Sequence, residues 1–191
     1  MKIGIDIDNT ITSTIPVLRE SCIKYNNEVV KRNLPINKYG FAVSNFFEWT
    51  HDEKMDFCSK YLEKIVVSAE VKHNAENVIK ELKEENYIYI ITARKKPYFS
   101  NPYELTKKFL YENDIVYNEL IVECDDKYKF CVENNIDIMI DDEPKNINAI
   151  SSVIPVIAFD GIQNSMCKGN NILKVNSWNE VNEIIHDLAR K

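Results

Sequence analysis

An α/β fold is predicted: a doubly wound, mainly parallel, Rossmann-like sheet with a small helical cap inserted after its first strand. Three features predict it. Short apolar runs rich in Ile, Val and Tyr, at Ile3 to Ile7, Tyr87 to Ile91, Leu120 to Val122, Ile136 to Ile140 and Val153 to Phe159, each end in polar or acidic residues. The runs are continuous rather than alternating, which is the pattern of strands covered on both faces. Between most of them lie helix-period segments, such as Val78, Ile79 and Leu82, or Leu105 with Phe109, so strand and helix alternate as in βαβ units.

The elements follow in chain order. Ile3 to Ile7 is the first strand and leads directly into an acidic turn. From Ser13 to His73 no run resembles a sheet strand. Instead Ile15, Leu18, Cys22 and Tyr25 keep helical spacing, and Thr50-His51-Asp52-Glu53 is a capping box opening a second helix with Phe57, Tyr61 and Ile65. Residues 13–73 are therefore read as the helical cap, and residues 1–12 with 74–191 as the core. The ends of the cap return near the tip of the first strand, so it should sit over that tip as a lid. Asn101-Pro102 supplies an N-cap and a first-turn proline, Pro144 opens a helix carrying Asn146 and Asn148, and Ser177 to Glu180 is a capping box before Val181, Ile184 and Leu188.

Composition sets the outer bounds. The chain has 191 residues, 45% apolar and 28% charged, enough for one α/β core with an insertion. No apolar run approaches the roughly 18 residues that a spanning helix needs. The N-terminus runs straight into a strand without a secretory pattern, so a cytoplasmic protein is expected. The five cysteines are odd in number, scattered and free of any C-x-x-C pair, which favours reduced thiols over a zinc site or a disulfide framework. A net charge of −6 repels a phosphate polymer, and the lysine pairs Lys95-Lys96 and Lys107-Lys108 read as solvated surface. With only Gly4, Gly40, Gly161 and Gly169 present, neither a phosphate-binding loop nor a dinucleotide fingerprint can be written.

The chemistry-bearing residues stand at strand ends: Asp6, Asp8 and Thr10 after the first run, Thr92 after the second, Lys127 after the third, and Asp141 with Asp142 after the fourth. In an open parallel sheet these ends face one crevice. An all-carboxylate cluster needs a cation, and oxygen ligands without His or Cys suit Mg²⁺. A hydroxyl and an ammonium beside it are donors matched to phosphoryl oxygens. The set reads as metal-assisted phosphoryl transfer, with one carboxylate of the Asp6/Asp8 pair attacking phosphorus and the other protonating the leaving oxygen.

DIDNT (Asp6 to Thr10), ITAR (Ile91 to Arg94), DK (Asp126-Lys127) and IDDEP (Ile140 to Pro144), in that order, resemble the four motifs of the haloacid dehalogenase-like phosphohydrolase superfamily. The helical insertion, the ITAR form and the adjacent acidic pair are similar to its 5′(3′)-deoxyribonucleotidase group. The resemblance implies Asp6 as a nucleophile forming an aspartyl-phosphate, Asp8 as general acid and then base, and Thr92 and Lys127 on the phosphoryl oxygens. It also implies Mg²⁺ held by Asp6, the Asp8 carbonyl and Asp141, with Asp142 acting directly or through water. The implied substrate is a small phosphate ester, with a (deoxy)nucleoside monophosphate as the leading reading. The alternatives are a sugar phosphate or a polynucleotide 3′-phosphate. A receiver-like phosphoacceptor module shares the residue types, but its acidic pair comes first in the chain and its lysine last, the reverse of the order here.

Plainer roles stand beside these. Thr10 is expected to brace the turn by hydrogen bonding, Asp125 or Asp126 to cap the helix starting near Lys127, and Lys129 to be solvated. Arg94 has two readings, substrate phosphate or an acidic residue of the cap. Phe46, Phe47 and Trp49 either pack the cap or stack on a nucleobase as specificity residues. His51, His73 and His186 are assigned surface or core roles.

Overall fold

The computed structural model describes residues 1–159, 161 and 165–190. A single sheet of parallel strands runs in the order β3-β2-β1-β4-β5-β6. The strands are β1 (Lys2–Ile5), β2 (Tyr87–Ile91), β3 (Glu119–Ile121), β4 (Ile138–Asp141), β5 (Val156–Phe159) and β6 (Ile172–Val175). The chain winds outward from β1 to β3, then crosses to β4 and winds the other way, so the order reverses beside β1. That reversal opens the crevice used by open α/β sheets for ligands. Ile3 pairs with Ile138 and Ile5 with Ile140, and the Asp6 N–H donates to the Ile140 carbonyl at 2.9 Å. The register thus fixes the ends of β1 and β4 side by side.

Alternation along each strand feeds two apolar layers. On one face Ile3, Ile5, Ile88, Ile90, Ile138, Ile140 and Ile157 pack against helices α5 (Ala75–Glu85), α6 (Pro102–Glu112) and α9 (Trp178–Ala189). On the other, Tyr89, Ile91, Met139, Val156 and Ala158 meet α7 (Lys127–Glu133) and α8 (Pro144–Ile150). Gly4 points to this second face, where an added Cβ would lie 2.7 Å from Met139 Sδ. The absence of a side chain there lets β1 sit flush between its neighbours.

The doubly wound sheet agrees with the sequence reading, while the strand limits differ. Ile7 is fully buried yet lies past the end of β1, because burial continues into the turn after the ladder has stopped. In the fifth run only Val156 onward is extended. The sixth strand was not expected: Leu173 is 37% exposed, Lys174 is exposed and only Val175 is buried, so an edge strand leaves no continuous apolar run to read.

Between Ser13 and His73 the regular elements are helices, α1 (Thr14–Tyr25), α2 (Val43–Phe46), α3 (His51–Phe57) and α4 (Glu63–Ser68), with one wider π-turn extending α1 to Val30, another, at 58–62, joining α3 to α4, and an irregular stretch over 31–42. Thr50 and Glu53 form the expected capping box. The segment has its own apolar centre of Leu18, Cys22, Tyr25, Phe46, Phe47, Trp49, Phe57, Cys58 and Ile65. Its two connections to the sheet lie together: Thr12 pairs antiparallel with Val71, Ser13 N–H donates to Glu70 O, and Lys72 N–H donates to Ile11 O, the latter two at 2.8 Å.

Candidate active site

The turn after β1 is built by its sequence. Asn9 adopts φ +66°, a left-handed conformation that Asn tolerates better than most residues. The N–H groups of Thr10, Ile11 and Thr12 then converge on the Ile7 carbonyl at 3.2, 2.9 and 3.0 Å. Asn9 Oδ1 accepts from the Ile15 N–H at 2.7 Å, tying the turn to the first turn of α1. Asp6 and Asp8 are thereby sent to different surroundings.

Asp6 belongs to a buried cluster. Lys127, at the start of α7 and 3% exposed, donates to Asp6 Oδ1 at 2.5 Å and to Asp141 Oδ2 at 2.8 Å. Asp141 Oδ1 also accepts from the Glu143 N–H at 2.8 Å, and Asn146 Nδ2 reaches Asp141 Oδ2 at 3.2 Å. One carboxylate oxygen each from Asp6, Asp141 and Asp142 lies within 4.8 Å of the others. Burial, with repulsion from Asp141 and Asp8, pushes the Asp6 carboxyl up to about 7 despite Lys127. Burial, with repulsion from Asp6 and Asp141, raises the Asp142 carboxyl well above its ordinary value. Lys127 lies among three crowded acids and Lys72 near two of them, Asp6 and Asp142, and an oxygen-only set of this kind fits a hard divalent cation.

Asp8 is the opposite case. Burial would raise its carboxyl, but Arg94 overrides this and holds it below the ordinary value. Arg94 Nε donates to Asp8 Oδ2 at 2.9 Å and Nη2 to Oδ1 at 2.8 Å, while Thr14 Oγ1 donates to Oδ1 at 3.1 Å. The Arg94 side chain is 1% exposed against 29% for Asp8. Its guanidinium lies over the Phe109 ring, 5.4 Å from the centroid. Arg94 therefore pairs with Asp8 rather than with an acid of the helical segment, while its buried Nη1 has no hydrogen-bond partner among the described residues. Thr92, also buried, stands beside it, and its Oγ1 accepts from the Arg94 N–H at 3.3 Å.

These groups line one cleft of about 340 Å³, which holds Asp6, Asp8, Thr92, Arg94, Lys127, Asp141 and Asp142 together. Its outer wall is apolar, with Leu18, Phe41, Val43, Leu62 and Val66 from the helical segment and Tyr98 and Phe99 from the loop after β2. Phe46, Phe47 and Trp49 are not in it. They are buried in the centre of the helical segment, where Phe47 stacks on Trp49 at 5.4 Å and Trp49 Nε1 donates to Asn26 Oδ1 at 3.0 Å. The hollow that those aromatics line, about 640 Å³, contains none of the strand-end carboxylates.

Other expectations sort plainly. Thr10 Oγ1 is buried without a hydrogen-bond partner, so the hydroxyl does not brace the turn; the backbone does, its carbonyl accepting from Trp178 Nε1 at 3.2 Å. Asp126 caps α7 through the Lys129 N–H, Asp125 pairs with Lys95 instead, and the exposed Lys129 pairs with Glu133. His51 and His73 are exposed, and His186 contacts Glu81. Sequence reasoning missed Asn9, Thr14 and Asn146 as supports, and Phe41, Tyr98 and Phe99 as cleft walls. The Asn directly after a D-x-D turn was the one available signal.

The sequence profile of the family described as 5′ nucleotidase, deoxy (pyrimidine), cytosolic type C protein (NT5C) matches residues 1–191. Nucleotidase CA_C3379 of Clostridium acetobutylicum is 26% identical over 193 residues, which cover 100% of this chain and 96% of that protein. Among solved structures, the haloacid dehalogenase-like family hydrolase SP0104 of Streptococcus pneumoniae superposes with a TM-score of 0.68 at 14% identity, over 96% of this chain and 97% of the other. YfnB of Bacillus subtilis, solved bound to magnesium, gives a TM-score of 0.60 at 14% identity over 97% and 98%. Both likenesses concern the fold.

Proposed function

The chain belongs to the 5′ nucleotidase, deoxy (pyrimidine), cytosolic type C family, a haloacid dehalogenase-like family of phosphoric monoester hydrolases, and on that premise we propose that it is a Mg²⁺-dependent phosphatase of (deoxy)nucleoside monophosphates. One observation carries the mechanism: two carboxylates from one turn, Asp6 and Asp8, have been given opposite surroundings within one cleft. Such a split assigns separate tasks to chemically identical groups.

Asp6 is the nucleophile. One of its oxygens bonds to phosphorus as the bond from phosphorus to the ester oxygen breaks, and Asp8 delivers its proton to that departing oxygen. Water then attacks phosphorus, Asp8 takes the water's proton, and the bond between phosphorus and Asp6 breaks to release phosphate. Thr92 and Lys127 donate to the phosphoryl oxygens and neutralise developing charge. An incoming dianionic phosphate opposes the pull of Arg94 on Asp8 and favours the protonated acid there. Asp6, the Asp8 carbonyl, Asp141 and Asp142 would hold Mg²⁺, which supplies the charge needed for an anionic nucleophile to approach an anionic ester.

The substrate reading rests on the cleft walls. About 340 Å³ suits a small ester. Away from the strand ends, where Asn9, Thr14, Glu143 and Asn146 also line it, its walls of Leu18, Phe41, Val43, Leu62, Val66, Tyr98 and Phe99 are apolar and aromatic, which favours a nucleoside over a sugar. A cytoplasmic setting accords with the family, and among the described residues no helix is long and apolar enough to cross a membrane. The test is phosphate release by the purified protein from nucleoside 5′- and 3′-monophosphates and sugar phosphates, with Mg²⁺ and with chelator. Preference for deoxynucleotides, loss with chelator and inactivity of Asp6→Asn are expected. Faster turnover of sugar phosphates would overturn the substrate reading, and full activity of Asp6→Asn would overturn the mechanism.

A further inference from the structure

We propose that Arg94 is a positioning residue for proton transfer, aiming the Asp8 carboxylate at the departing oxygen, rather than a ligand for the substrate phosphate. This rests on the phosphatase reading above. Both nitrogens that Arg94 commits, Nε and Nη2, go to Asp8, at 2.9 and 2.8 Å. A bidentate fork of this kind fixes the carboxylate plane as well as its position. The fork is itself immobilised, since the guanidinium lies over Phe109 and the side chain is 1% exposed. Asp8 remains 29% exposed, so its opposite side stays open to the cleft.

The two oxygens of Asp8 are held unequally. Oδ1 accepts from Arg94 Nη2 and from Thr14 Oγ1, whereas among the described residues Oδ2 accepts from Arg94 Nε alone. The geometry points to Oδ2 as the oxygen that carries the proton to the leaving group and later receives one from water. A lysine in place of Arg94 would keep the charge but lose the fork, and with it the orientation of Oδ2.

The role predicts a signature. An ester whose leaving group departs readily as an anion, such as p-nitrophenyl phosphate, needs little proton donation, whereas an alkyl ester needs it fully. In Arg94→Lys the ratio of kcat for a deoxynucleoside monophosphate to kcat for p-nitrophenyl phosphate should fall by about 10²-fold, within the range contributed by a positioned general acid. Asp8→Asn should lower the same ratio at least as far, and the double variant no further, because both changes remove one function. Phe109→Leu, which loosens the fork without removing it, should move the ratio the same way by a smaller factor, and so serves if Arg94→Lys fails to fold. Equal proportional losses on both esters in Arg94→Lys and in Phe109→Leu, or a rise in KM with the kcat ratio unchanged, would overturn the assignment while leaving the phosphatase reading intact. A wild-type protein that hydrolyses neither ester would overturn both.

Discussion

Replacing Lys127 by Met should reveal how much of the fold's stability depends on one buried ammonium. Its Nζ sits 2.5 Å from Asp6 Oδ1 and 2.8 Å from Asp141 Oδ2, with the side chain 3% exposed. Methionine fills a similar volume but removes the buried ammonium that Asp6 and Asp141 both contact. Removing one partner of a buried ion pair costs about 3–5 kcal/mol. For a chain of this size each kcal/mol lowers Tm by roughly 2–4 °C, so a fall of about 6–20 °C is expected in chelator near neutral pH. The pH dependence has a definite sign. Burial pushes the folded Asp6 carboxyl up to about 7 against its ordinary value of 3.8, so its contribution to stability is fully present below the lower value and is lost as pH rises through the upper one. The Lys127 ammonium is shifted upward, so it stays charged across this window. Without it the carboxylates gain more from protonation, and the gap between variant and wild type should narrow from about pH 8 to about pH 5. Thermal melts and urea titrations across that range, with chelator and with Mg²⁺, measure this, and added Mg²⁺ should restore part of the loss. A variant within about 2 °C of wild type in chelator, or a gap that widens in acid, would refute the charge-balance argument.

Gly4→Ala should destabilise the protein by about 1–3 kcal/mol in urea unfolding, because its Cβ meets Met139 Sδ at 2.7 Å and Ile91 Cδ1 at 3.0 Å between packed layers. Phe41→Ala should raise KM for nucleotides with little change in Tm, whereas the buried Phe47→Ala should lose about 3–5 kcal/mol of stability with KM nearly constant; the reverse outcome would return the specificity role to Phe47. Trp178→Phe removes the donor to the Thr10 carbonyl and leaves that buried acceptor unpaired, a cost of about 1–3 kcal/mol readable as a lower urea midpoint.

The residues of the candidate site were legible because a strand buried on both faces is a poor place for charge, so Asp6, Asp8, Lys127 and Asp141 stand out where apolar runs stop. Their mutual arrangement followed from topology, since parallel strands bring their carboxyl ends to one edge. What could not be read depends on contacts between segments remote in sequence. Arg94 lies 86 residues from Asp8, and nothing local says that its fork closes on that carboxylate rather than on a phosphate. Which aromatics of the helical segment pack it and which reach the cleft was hidden for a related reason. Phe46, Phe47 and Trp49 form the denser cluster in sequence, but density favours the core, and the cleft wall went to Phe41 and to Tyr98 and Phe99 from a core loop. The sixth strand escaped because half of an edge strand faces water.

The paired connections at Thr12 and Val71 have a consequence for how such a protein can diversify. Chain leaving the sheet at residue 12 re-enters at residue 71 as its immediate neighbour, so everything between them is a closed excursion. Lengthening a flexible excursion twofold costs only about 0.6 kcal/mol of closure entropy. The pairing of β1 with β2 and β4 need not shift when the excursion is resized or rewritten. The cleft wall contributed by residues 13–73 can therefore be rebuilt while the turn bearing Asp6 and Asp8 stays as it is, which makes the paired connections a seam along which the cleft can be reshaped.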